Sequence, residues 1–149
     1  MEMTWEEILN RAIAKEEEAY SNYHAMAKRA SNPGAQTMFN GLAEEEGRHK
    51  AILTNWKSGK LPGCPLSSLA DLSGIGEGRD IKFDRDLTPE EAVRLAIQEE
   101  GRAFAFYSTL AKGLEDAEAK CLAESLAAEE RGHRSKLERL LEEEMFQEM

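Results

Sequence analysis

Two stretches decide the fold. They are Thr4–Lys28, TWEEILNRAIAKEEEAYSNYHAMAK, and Thr88–Lys112, TPEEAVRLAIQEEGRAFAFYSTLAK. Laid over one another at an offset of 84, they share Thr4/Thr88, Glu7/Glu91, Ile13/Ile97, Glu16/Glu100, Tyr23/Tyr107 and Lys28/Lys112. The same offset continues without a gap through Leu42/Leu126, Glu46/Glu130, His49/His133 and Leu53/Leu137. Ala and Glu are frequent here, so their matches alone mean little. The chain has only three Tyr and three His, so the paired Tyr and His carry the weight. The sequence is a twofold repeat of one supersecondary unit.

That unit is helical. Thr4 with Glu7 and Thr88 with Glu91 have the spacing of capping boxes, and Pro89 takes the favoured first helical position. Asn32 and Asp116 are further N-cap residues. Pro and Gly gather at Pro33–Gly34 and through 59–78, which leaves helical stretches near 4–30, 33–58, 88–113 and 116–146. Leu9, Ala12, Ile13, Ala19, Tyr20, Tyr23, Ala27 and Ala30 recur at three- and four-residue steps and predict one buried face. Val93, Ala96, Ile97, Ala103, Phe104, Tyr107, Leu110, Ala111 and Leu114 predict its copy. The fold class is therefore all-α: a four-helix bundle of two helical hairpins within a single domain, 1–149. Segment 59–87 is a long crossover. Each helix should be roughly 40 Å long, which about 12 extended residues can span, so 59–87 can run back along the whole bundle.

Composition excludes several functions. The 29 acidic and 19 basic residues give a net charge of −10, unsuited to phosphate backbones or anionic membranes. No apolar run approaches the ~20 residues of a membrane span, and MEMTWEEILNR does not read as a signal peptide, so a cytoplasmic location is expected. Cys64 and Cys121 form no CxxC pair, which excludes cysteine-rich zinc or rubredoxin-type iron sites. The run Ser73–Gly78 lacks the Gly-Lys-Ser/Thr ending of a phosphate loop.

The chemistry sits where ionisable residues interrupt the apolar faces. Glu16 falls among Ala12, Ile13, Ala19 and Tyr23, and Glu100 among their copies. On the second helix the stripe Ala35, Met38, Phe39, Leu42 is broken by Glu46 and His49 before Ile52, Leu53 and Trp56. On the fourth, Glu130 and His133 break Ala119, Leu122, Leu126 before Leu137 and Leu140. A lone buried carboxylate costs several kcal/mol, and four converging ones would repel. Two divalent cations cancel the charge of four carboxylates, and Glu-x-x-His puts two ligands one turn apart on one face. Di-iron carboxylate bundles use this set: a Glu from each of two helices and a Glu-x-x-His from each of the other two. The predicted metal ligands are Glu16, Glu46, His49, Glu100, Glu130 and His133. If they are filled, the loaded protein carries nearer to about −6 than −10.

Neighbouring residues read less sharply. Tyr23 and Tyr107 are either core tyrosines or donors that orient a ligand carboxylate. His24 is rotated off the stripe and assigned to the surface, and Glu45 and Glu129 to a solvated face. Gly47, Gly101 and Gly132, each costing about 1 kcal/mol against Ala, either relieve crowding or allow ligand movement.

Glu16-x-x-Ala19-x-x-x-Tyr23 with Glu46-x-x-His49, repeated as Glu100-x-x-Ala103-x-x-x-Tyr107 with Glu130-x-x-His133, resembles the rubrerythrin branch of the ferritin-like superfamily. The resemblance covers all four helices, and 59–87 matches in role only. It implies that Glu46 and Glu130 bridge two metal ions, that Glu16 and Glu100 are terminal ligands, and that His49 and His133 each cap one ion. Two departures stand out. The four-cysteine rubredoxin-like module of rubrerythrins has no counterpart here, and Ala103 stands where they carry an extra ligand Glu. What remains is a symmetric site of four Glu and two His. It suits two iron ions, with manganese or zinc as alternatives.

Three functions follow as expectations. The first is an oxidoreductase reducing peroxide or O₂ at a diferrous centre, as in defence against oxidative stress, with an external electron donor such as rubredoxin. The second is a ferroxidase or iron storage or delivery protein. The third is a non-catalytic, metal-stabilised interaction module. A homodimer or higher oligomer is expected, since the crossover could hand one hairpin to a second copy.

Overall fold

The computed structural model describes residues 3–61 and 87–145, which form α1 (Trp5–Arg29), α2 (Pro33–Lys57), α3 (Pro89–Gly113) and α4 (Ala117–Leu140), with a π-helical turn, Leu141–Met145, after α4. Residues 62–86 lie outside the described residues, and with them most of the predicted crossover, Cys64 and the run Ser73–Gly78. No described helix is long and apolar enough to cross a membrane. The chain divides into two compact units, Met1–Pro62 and Gly63–Met149, holding one hairpin each.

The helix ends form as the caps dictate. Thr4 Oγ1 accepts from the Glu7 amide at 3.1 Å while the Thr4 amide donates to the Glu7 carboxylate. Thr88 and Glu91 repeat this reciprocal pair, with Glu91 N–H to Thr88 Oγ1 again 3.1 Å. Asn32 accepts from the Gly34 and Ala35 amides and Asp116 from the Ala119 amide, so orphan donors at every N-terminus find a partner. α2 ends in a Schellman motif: Lys60 N–H donates to the Asn55 carbonyl and Gly59 N–H to that of Trp56. Gly59 makes this closure with φ +87°, a conformation that glycine adopts without a Cβ clash.

In the first unit, α1 and α2 pack as an antiparallel pair. The Trp5 ring meets Trp56 edge-on at 5.2 Å, and Lys50 reaches Glu17 at 3.1 Å. Leu9, Ala12, Tyr23, Met26 and Ala27 of α1 are buried, with Phe39, Leu42, Ala43, Leu53 and Trp56 of α2. In the second unit, Val93, Phe106, Tyr107, Leu110 and Ala111 are buried on α3, and Leu122, Leu126, Leu137 and Leu140 on α4. Each buried Leu contributes about 1.5–3 kcal/mol. Four of them, Leu42, Leu53, Leu126 and Leu137, are at most 1% exposed and stand one turn outside the two Glu-x-x-His pairs, fixing the faces on which those pairs lie.

The predicted stripes hold at their centres and fail at their edges. Ile13, Ala19, Ala30, Met38, Ile52, Ala96, Ile97, Ala103, Phe104 and Leu114 are only partly buried. Tyr20, expected on the buried face of α1, is 41% exposed. At 100° per residue it stands roughly 60° from the centre of that face. Its neighbour across the helix pair is Gly47, which has no side chain to cover it.

Candidate metal centre

In the first unit, the capping box starts α1 in a phase that turns Glu16 inward, and Leu42 and Leu53 do the same for Glu46 and His49. All three are at most 3% exposed. His49 Nδ1 lies 3.5 Å from Glu16 Oε2 and 3.2 Å from Glu46 Oε1. One ligand atom from each of the three falls within 4.8 Å of the others. In the second unit, His133 Nδ1 lies 3.5 Å from Glu100 Oε2 and 3.2 Å from Glu130 Oε1, again at most 3% exposed, and again with one ligand atom each within 4.8 Å. Both sets of three predicted ligands are assembled, with the same spacings.

The donor sets fit divalent metal ions. Each trio buries two carboxylates, and the imidazole is its only member able to carry positive charge. With both carboxylates ionised, the trio holds a net charge of −2 with neutral His and −1 with protonated His, away from water. Such burial is costly unless a cation cancels it. A divalent ion does so, and two carboxylates with one imidazole are ligands that iron and manganese accept readily.

The surroundings sharpen several predictions. Tyr23 and Tyr107 are both buried. His24, expected at the surface, is half-buried, with the Tyr20 ring edge-on at 4.5 Å. Glu45 and Glu129, expected on a solvated face, are half-buried as well. A Cβ on Gly47 would meet only the Tyr20 ring, at 3.4 Å, and one on Gly132 would meet nothing within 4 Å. At Gly101 a Cβ would lie 3.1 Å from the Arg134 guanidinium. Crowding at the ligands therefore does not explain Gly132, and at Gly101 the close neighbour is the far end of the Arg134 side chain.

Paired helical hairpins carrying buried Glu–Glu–His sets define a class, the ferritin-like diiron-carboxylate proteins. Solved structures agree. A protein from Thermotoga maritima described as a candidate ferritin-like diiron-carboxylate protein is 25% identical, with a TM-score of 0.74, covering 95% of this chain and 96% of that one. A protein of unassigned function from Pyrococcus furiosus is 30% identical, with a TM-score of 0.76 over 93% and 90% of the two chains. An uncharacterised conserved protein from Magnetospirillum magnetotacticum is 27% identical, with a TM-score of 0.66 over 94% and 95%. No curated protein matches the chain. The rubrerythrin family profile matches residues 7–141, and the chain belongs to the rubrerythrin family. Its fold is the ferritin-like four-helix bundle class, all-α.

Proposed function

We propose that this protein is a non-haem di-iron carboxylate oxidoreductase of the cytoplasm, reducing peroxide or O₂ with electrons from a separate donor. The observation that carries the reading is the pair of buried Glu–Glu–His trios with matching 3.2 and 3.5 Å spacings. In this reading Glu16, Glu46 and His49 of the first hairpin, and Glu100, Glu130 and His133 of the second, would hold the iron ions. Bound there, the two ions supply two-electron redox chemistry. The rest falls to the chain. The carboxylates would match the charge of the bound ions. The imidazoles hold their neutral form toward the metal. Tyr23 and Tyr107, buried two turns after Glu16 and Glu100, orient carboxylates by donating their hydroxyl protons. The closely packed leucines keep bulk water away.

The test is protein purified anaerobically, analysed for metal, reduced, and mixed with peroxide in the presence of a one-electron donor. About two iron ions per chain and repeated turnover are expected. A single stoichiometric oxidation would move the protein to the ferroxidase and iron-handling class. Metal content without any reaction with oxidant would leave only a metal-stabilised module.

A further inference from the structure

The chain has three tyrosines and three histidines. Two of each recur at the offset of 84 and are buried, Tyr23 with Tyr107 and His49 with His133. The remaining pair, Tyr20 and His24, stands one turn apart on α1, edge to face with ring centres 4.5 Å apart. Tyr20 is 41% exposed and His24 half-buried. Among the described residues, neither the Tyr20 hydroxyl nor either His24 ring nitrogen has a hydrogen-bond partner. Tyr20 follows Glu16 by one helical turn, and its ring covers Gly47, the residue after Glu46, where a Cβ would lie 3.4 Å from the ring. The rim of the hairpin beside Glu16 and Glu46 is thus closed by a ring that no hydrogen bond holds, over a residue with no side chain.

The second hairpin closes the same rim with charge. Phe104 replaces Tyr20, half-buried, and Arg131 replaces Gly47, its guanidinium 5.7 Å from the ring centre. Arg131 has no carboxylate partner among the described residues. Ser108, fully buried, replaces His24. In the first hairpin the nearest counterpart charge, Lys50, is neutralised by Glu17 at 3.1 Å. A divalent cation therefore meets an unpaired positive charge at the second rim and none at the corresponding positions of the first. Total charge points the other way: residues 3–61 hold eight acidic and eight basic side chains, and 87–145 hold fourteen against eight. Exposed charges more than about 8 Å away are screened at physiological salt, so the rim residues decide the approach.

We propose that His24, Tyr20 and Gly47 form the entry by which divalent metal ions reach Glu16, Glu46 and His49. His24 takes the arriving ion through a ring nitrogen, and the Tyr20 ring swings off Gly47 to let it pass. The inference rests on the metal-binding part of the reading above and on none of its redox chemistry. Neutral imidazole is a common ligand for such ions, and a single one on a half-buried helix face releases what it takes. Rotamer changes of partly exposed side chains are fast, so the ring scales passage by the fraction of time it stands open. The lack of a side chain at Gly47 leaves the opened rim clear.

The test is cobalt(II) mixed with metal-free protein in a stopped-flow, where its visible absorbance reports uptake and a chase with excess zinc reports release. The kinetic phase lost in His49→Ala belongs to the first trio. For that phase, Tyr20→Ala speeds uptake and release alike, by about tenfold for a ring open roughly a tenth of the time. His24→Phe, which keeps the ring contact and removes the nitrogens, slows both by one common factor. The Kd stays at its wild-type value in both variants, because residues on the path but outside the site change the two directions equally. Tyr20→Phe keeps wild-type rates, and Phe104→Ala leaves the phase unchanged. Wild-type rates in Tyr20→Ala, or a shifted Kd with only one rate altered, would overturn the proposal while leaving the metal site standing. If no cobalt binds, or His49→Ala removes no phase, the metal-centre reading falls and the entry with it.

Discussion

The two hairpins share one register and differ in what they show outward. Glu16 meets His49 as Glu100 meets His133, at 3.5 Å in both. One residue further out, Glu17 pairs with Lys50 across the first hairpin, while its counterpart Gly101 lies under the guanidinium of Arg134, which turns along α4 to Glu138 at 3.2 Å. One turn along, Tyr20 lies over Gly47 where Phe104 lies under Arg131. Inward positions are held by close packing and by burial of charge, which tolerate few alternatives. Outward positions touch water on one side, where an ion pair, a glycine or an arginine over a ring each contributes little to stability. Identity between the copies is therefore concentrated at the site, and difference at its rim.

The comparison breaks most readily at the ligands. Glu46→Ala and Glu130→Ala should change sign with metal. In metal-free protein each removes a buried carboxylate and raises stability, on the order of 1 kcal/mol. In loaded protein each forfeits the binding contribution, about 4 kcal/mol at a thousandfold excess of metal over its Kd. Thermal melts of both variants with and without metal check this. The same sign in both states would mean the carboxylates are not ligands, and unequal effects would mean the hairpins are not equivalent.

Leu53→Ala and Leu137→Ala delete equivalent, fully buried side chains beside His49 and His133. Each should cost about 2–5 kcal/mol by denaturant titration, and the two values should agree within about 1 kcal/mol if the cores are as alike as the ligands. Ser108 breaks the symmetry. It is fully buried, and its hydroxyl has no hydrogen-bond partner among the described residues, whereas its counterpart His24 packs on Tyr20. Ser108→Ala should therefore stabilise by about 1 kcal/mol, and a loss would reveal a hydroxyl partner.

The smallest effect lies at the caps. Hydrogen bonds from the Thr88 backbone, then its side chain, hold the Glu91 carboxyl below its ordinary value. A carboxyl lowered in the folded state adds stability above its unfolded pKa, and this is lost as pH falls through the folded one. Stability lost between neutral pH and the acid range should thus be slightly less in Glu91→Gln than in wild type, as read from melts across that range. Thr4→Ala and Thr88→Ala should each cost about 1 kcal/mol.

Much of this was readable from the chain. The capping boxes, the Asn32 and Asp116 caps and the punctuation by Pro and Gly placed every helix end but the last within a few residues, because these signals act through hydrogen bonds between near neighbours; α4, expected to reach 146, ends at Leu140 and passes into a π-helical turn. The offset of 84 identified the six buried Glu and His residues, because a Glu or His at the centre of an apolar stripe has nowhere to point but inward. Edges were harder. Tyr20 and Phe104 occupy equivalent places on their stripes, and helical phase alone treats them alike. Their exposure depends on whether Gly47 or Arg131 faces them from the next helix, which no single-helix pattern encodes. The half-burial of His24, Glu45 and Glu129 depends on neighbouring helices in the same way.

By itself, then, the sequence determined the helices, the hairpin repeat and which Glu and His are buried, since each is set by local hydrogen bonding or by helical phase. Only the tertiary structure decided the spacing within each trio and which of two similar aromatic rings meets solvent. Those depend on the register of one helix against another, and register is fixed by the packing of side chains far apart in the chain.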